Sequence, residues 1–222
     1  MRPLDLIGQN ERFVEESDPH YFEELSQGQQ PYCLMLACSD SRVCPSVVTQ
    51  APLGTMFVHR NIANQVVEGD ASFEAALWFA LTRLKVGRLV VKGHTGCGGI
   101  AAAREGDAPP ALEGWLKHIR AALPEDPEID PDQLARLNVL EQVRRLKEHP
   151  VYKEHGQGVA IEGYLLHLRT GRLEHLVTEE PPAIKGGKKY AIEGERSEAL
   201  SGVDAADAAP RGPDAGGTAT AR

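Results

Sequence analysis

Two short apolar runs, each ending directly in a cluster of soft ligands, constrain this chain more than any other feature. Residues 32–37 (YCLMLA) lead into Cys38-Ser39-Asp40-Ser41-Arg42, and residues 88–93 (RLVVKG) lead into His94-Thr95-Gly96-Cys97. Runs of this length and apolarity predict buried strands of a parallel sheet. Open α/β sheets collect their ligands at the carboxyl ends of strands, where both clusters fall. The spacing therefore predicts an α/β fold in which residues 56 apart (94 − 38) meet at one edge.

The residue types then define the chemistry. Cys38 and Cys97 offer thiolates and His94 an imidazole, a donor set that suits zinc. Three protein ligands leave a fourth tetrahedral position for water, which distinguishes a catalytic zinc from a closed structural one. Asp40 lies two residues from Cys38, and Arg42 is placed to keep it ionised through a bidentate pair that lysine could not reproduce. Gly96, Gly98 and Gly99 allow a sharp turn around Cys97, and residues 100–105 read as a helix leaving the site. Of the remaining cysteines, Cys33 reads as a small core residue, and Cys44 follows the first motif without a required role.

At 222 residues the chain can bury one full core. A net charge of −8 argues against nucleic acid or an anionic membrane surface as the main partner. No apolar run approaches the ~20 residues of a membrane span, and residues 1–13 lack a signal-peptide core. These features predict a cytoplasmic protein with reduced cysteines. Further elements are predicted as a short helix over 18–25, a strand over 55–59 and a buried helix over 71–84 closed by Gly87. An amphipathic helix over 132–150 carries Leu134, Leu137, Leu140, Val143 and Leu146, and a hairpin-like pair spans 158–177. Residues 1–195 read as one catalytic domain. The Ala/Gly/Pro-rich stretch 196–222 lacks the apolar content to order itself and is expected to be a disordered tail.

The chain resembles the β-class carbonic anhydrases, in their plant-like, open-site form. The most specific blocks are Gly28-Gln29-Gln30-Pro31, the run from Ala37 to Ser46 (ACSDSRVCPS), Phe57 to Asn64 (FVHRNIAN) and Gly93 to Gly99 (GHTGCGG). The resemblance implies a central, mainly parallel sheet flanked by helices, with an N-terminal helical arm. It implies reversible hydration of CO2 to bicarbonate and a proton on one zinc ion per chain, in a homodimer or a dimer-based tetramer. Carried over by position, Cys38, His94 and Cys97 hold zinc, and Asp40 and Arg42 form the catalytic dyad. Gln29 matches a glutamine that reaches substrate from the neighbouring subunit. Phe57 and Ile62 match apolar walls of the CO2 pocket, Gly98 a backbone contact there, and Phe79 stands where plant-like members carry tyrosine. Bicarbonate-regulated members place tryptophan and tyrosine where Met35 and Leu166 stand, and only Arg60 matches their anion contacts. Asp40 is accordingly expected on the metal only in a closed form. The same scaffold could hydrolyse CS2 or COS, or serve as a non-catalytic zinc-stabilised binding protein. The intact dyad speaks against the latter.

Overall fold

The computed structural model describes residues 4–106 and 108–181. Its centre is a five-stranded sheet of β1 (Cys33–Cys38), β2 (Met56–Asn61), β3 (Arg88–His94), β4 (Ala160–His167) and β5 (Arg172–Glu179), in the order β2-β1-β3-β4-β5. The pairs β1–β2, β1–β3 and β3–β4 are parallel, and the hairpin strand β5 is antiparallel. The apolar runs at 32–37 and 88–93 thus became β1 and β3, neighbours with every residue of β1 buried. From β1 the chain moves to one side for β2 and then returns across to the other for β3. That reversal opens a crevice beyond the ends of β1 and β3, where the two ligand motifs emerge.

The helices are α1 (Leu6–Glu15), α2 (Tyr21–Ser26), α3 (Pro45–Thr49), α4 (Ala71–Phe79), α5 (Gly98–Glu105), α6 (Pro110–Arg120), α7 (Pro131–Glu148) and α8 (Pro150–His155). Side chains alternate across a strand, so β1 serves two apolar clusters. Leu34 and Leu36 join Phe73, Leu77, Leu89, Val91, Val139, Ile161 and Leu165 in the main core. Cys33, Met35 and Ala37 join Val90 in a smaller one, with Met56 and Tyr164 against it. Cys33 is therefore a core residue, as its position in the strand suggested. The expected N-terminal arm is present as α1 and α2, neither of which buries a residue. The expected boundary at residue 195 and the tail over 196–222 lie outside the described residues.

Three expectations need correction. The three-residue spacing in α7 does not mark its buried face, because residues advance about 100° each and a period of three drifts around the helix. The buried positions are Leu134, Ala135, Asn138, Val139, Gln142, Val143 and Leu146, while Leu140 is exposed. Two amides thus replace two leucines against β3 and β4. The helix over 71–84 is not buried all round. Phe73 and Leu77 face the core, but Trp78 and Phe79 are exposed, and the last turn, Ala80–Leu84, widens into a π-helix. Gly87 does not close it, since the left-handed residue is Lys85 (φ 51°). The first short helix begins at Tyr21 rather than at 18, and Asp18 instead accepts a hydrogen bond from the His20 N–H.

Gly93, just before His94, faces Val139 of α7. A Cβ at this position would lie 2.4 Å from Val139 Cγ2. Gly93→Ala is therefore expected to destabilise the fold by about 1–3 kcal/mol, the usual range for overpacking. The urea midpoint measures it, and an unchanged midpoint would mean that α7 moves away without cost.

Candidate metal centre

Cys38 ends β1, His94 ends β3 and Cys97 caps the N-terminus of α5. The crevice brings the three together: one ligand atom from each lies within 4.8 Å of the others, and all three residues are buried. The two sulfurs stand 4.0 Å apart. One tetrahedral ion with Zn–S bonds of ~2.3 Å would hold them about 3.8 Å apart. His94 Nδ1 donates to the Thr95 carbonyl at 2.9 Å, which leaves Nε2 as the bare acceptor. That Nε2 is buried and has no hydrogen-bond partner among the described residues. Buried polar atoms are ordinarily satisfied, and a lone pair beside two sulfurs is what a soft divalent cation would satisfy.

The thiols behave as one unit. A hydrogen bond from the Cys97 thiol pulls the Cys38 pKa down, and the same bond with burial holds Cys97 up. A cation bound to both sulfurs would displace the proton they share. The donor set and its geometry fit zinc.

Asp40 and Arg42 meet as a fork. Arg42 Nε donates to Asp40 Oδ1 at 2.9 Å, Nη2 donates to Oδ2 at 2.6 Å, and the Arg42 backbone N–H adds a third bond to Oδ1 at 2.9 Å. These bonds hold the Asp40 carboxyl well below the usual carboxylate range. Arg42 Nη2 also reaches the Gly96 carbonyl at 3.3 Å, which ties the dyad to the turn before Cys97. Asp40 Oδ2 is 3.9 Å from His94 Nε2, so the carboxylate faces the ligand cluster without belonging to it. Arg60 is occupied beneath them, donating to the carbonyls of Cys38 and Asp40 at 2.9 and 2.7 Å.

The expected substrate-pocket residues divide into two groups. Gly98 follows Cys97, and Ile62 lies against the same turn, where a Cβ on Gly99 would come within 2.5 Å of its Cγ2. Phe57 pairs with Leu34 while Asn61 pairs with Cys38, so Phe57 sits four residues (61 − 57) back along β2. At strand rise that is about 13 Å from the level of the cluster. Phe79 stacks on Phe57 with ring centroids 5.8 Å apart. Gln29 is exposed before the start of β1, at the opposite end of the strand from Cys38. Within one chain, Gln29, Phe57 and Phe79 do not meet the ligand cluster.

Other contributors carry no local sequence signal. The Ala63 N–H donates to Cys38 Sγ at 3.3 Å from a left-handed conformation (φ 61°, ψ 27°). Such a conformation costs a non-glycine residue about 1–2 kcal/mol. Lys92 is fully buried, donates to the Val43 carbonyl at 2.8 Å, and has its ammonium pKa pulled down to about 8 by burial and by Arg60.

The sequence matches the family model described as "Carbonic anhydrase" over residues 33–173. It is 38% identical over 161 residues to a carbonic anhydrase of Candida albicans, an alignment covering 66% of this chain but only 57% of that protein. A carbonic anhydrase of Emericella nidulans is 35% identical, with 74% of this chain and 78% of the relative aligned. Among solved structures, a β-carbonic anhydrase of Aspergillus fumigatus superposes with a TM-score of 0.71 at 31% identity, covering 79% of this chain and 90% of that one. One of the tetrameric β-carbonic anhydrases of Sordaria macrospora gives 0.69 at 28% identity, covering 78% and 96%. With its ligand motifs at the crevice between β1 and β3, the chain belongs to the carbonic anhydrase family, in its β class.

Proposed function

We propose that this protein catalyses the reversible hydration of CO2 to bicarbonate and a proton, on a zinc ion held by Cys38, His94 and Cys97. The observation that carries this reading is the unpartnered His94 Nε2 facing two buried sulfurs, with an ionised Asp40 beside it. When bound there, zinc would supply Lewis acidity, lowering the pKa of water from 15.7 to roughly 7. Asp40 keeps a carboxylate facing the ligand cluster, where it would accept a hydrogen bond from a water and orient it. Arg42 fixes that carboxylate through its fork and, through Gly96, fixes it relative to Cys97. Stopped-flow CO2 hydration on metal-analysed protein tests the proposal: activity should track zinc content, and zinc-loaded protein without activity would overturn it.

The working unit is a homo-oligomer. The arm helix α1 leaves Leu6, Ile7, Phe13 and Val14 exposed, an apolar surface that the described residues do not cover. Gln29, Phe57 and Phe79 lie too far along the sheet to serve their own cluster, so they serve that of a second copy. Co-expressing Gln29→Ala with Cys38→Ser should then yield mixed dimers that regain part of the activity both single variants lack. No recovery above the sum of the two homodimers would count against a shared pocket.

A further inference from the structure

We infer that Asn138 and Gln142 of α7, with Gln65, are positioning residues for the metal centre: they lock the Ala63 turn so that its N–H stays on the Cys38 sulfur. The inference rests on the reading of Cys38 as a metal ligand. Asn138, Gln142 and Gln65 are completely buried, and each is hydrogen-bonded to the others. The Ala63 carbonyl accepts from Gln65 Nε2 at 2.8 Å and from Asn138 Nδ2 at 3.0 Å. Gln142 Oε1 accepts from the Val66 N–H at 2.8 Å, and Asn61 bonds both backbone groups of Gln65. The turn is thus held from both ends.

What the network holds is a conformation the chain would otherwise avoid. Ala63 and Asn64 are consecutive non-glycine residues in the left-handed region, with φ of 61° and 49°. If Ala63 relaxed to an ordinary conformation, its N–H would swing away from Cys38 Sγ. A hydrogen bond to a metal-bound thiolate draws off part of its negative charge and fixes where its lone pairs point. Such outer partners commonly change metal affinity or activity 10- to 100-fold.

The test uses full-length protein, with zinc and EDTA for one readout and cobalt(II) in place of zinc for the other. In Asn138→Leu, zinc should pass to EDTA at least about tenfold faster. The thiolate-to-cobalt charge-transfer band should move to longer wavelength, since a sulfur without its N–H donor gives up an electron more easily. Val143→Ala, a core truncation one turn along α7, should lower stability and change neither readout. Adding Ala63→Gly to Asn138→Leu should restore both, because glycine takes up positive φ unaided. A folded Asn138→Leu with wild-type release and an unmoved band would overturn the inference. Should Asn138→Leu not fold, Asn138→Ser, which only shortens the donor, is read by the same two criteria. Full zinc retention in Cys38→Ser would instead overturn the ligand reading itself.

Discussion

Asp40→Asn is expected to lower CO2 hydration by about 10²- to 10⁴-fold while leaving zinc in place, the range general acid–base groups contribute. The amide has nearly the shape of the carboxylate but cannot hold the charge that three hydrogen bonds from Arg42 are arranged to stabilise. Its NH2 group would also compete for the positions that Nε and Nη2 now fill. Arg42→Ala should give a loss of similar order, because the carboxylate would then be free to turn toward the metal. Arg42→Lys should recover little of it, since an ammonium cannot replace the planar fork. Metal analysis beside kcat/KM separates this from a ligand effect. Wild-type kcat/KM in zinc-loaded Arg42→Ala would reduce the pair to a surface ion pair.

The second large effect is loss of the metal itself. Cys97→Ser should fall from about one zinc per chain to a small fraction of that after dialysis against a chelator. A hydroxyl does not ionise at neutral pH and is a poor ligand for a borderline-soft cation. The same variant should lose the rise in thermal midpoint that added zinc gives the wild type, because ligand that binds only the folded state stabilises it. Elemental analysis and a melting curve suffice. Full occupancy in both Cys97→Ser and Cys38→Ser would remove both residues from the ligand set.

The sheet and the cluster were readable in the sequence because each rests on short-range signals. Residues 32–37 and 88–93 carry both the apolarity that buries a strand and the ligands that follow it, so locating the strands also located Cys38, His94 and Cys97. The hairpin of β4 and β5 was readable from Thr170-Gly171 between two apolar runs. What could not be read depends on partners distant in the chain. Asn138 and Gln142 look like the polar side of an amphipathic helix until α7 is seen against the Ala63 turn, more than 70 residues earlier. Leucine spacing pointed to Leu137 and Leu140 for the same reason, since period alone does not say which face a sheet will meet. The separation of Phe57 and Phe79 from Cys38 follows from strand register, which only the pairing of β1 with β2 fixes.

Cys38 and His94 end adjacent strands, yet the chain between them runs through β2, α3 and α4 before it returns. An ion bound to both residues closes that stretch into a ring. The entropy of closing a ring rises only with the logarithm of its length, so even a ring this long limits the unfolded chain. Zinc here would thus be a cross-link as well as a reagent, with a reversibility that a disulfide lacks under reducing conditions. Losing it would return that freedom to the unfolded chain, so part of the fold's stability would track metal occupancy.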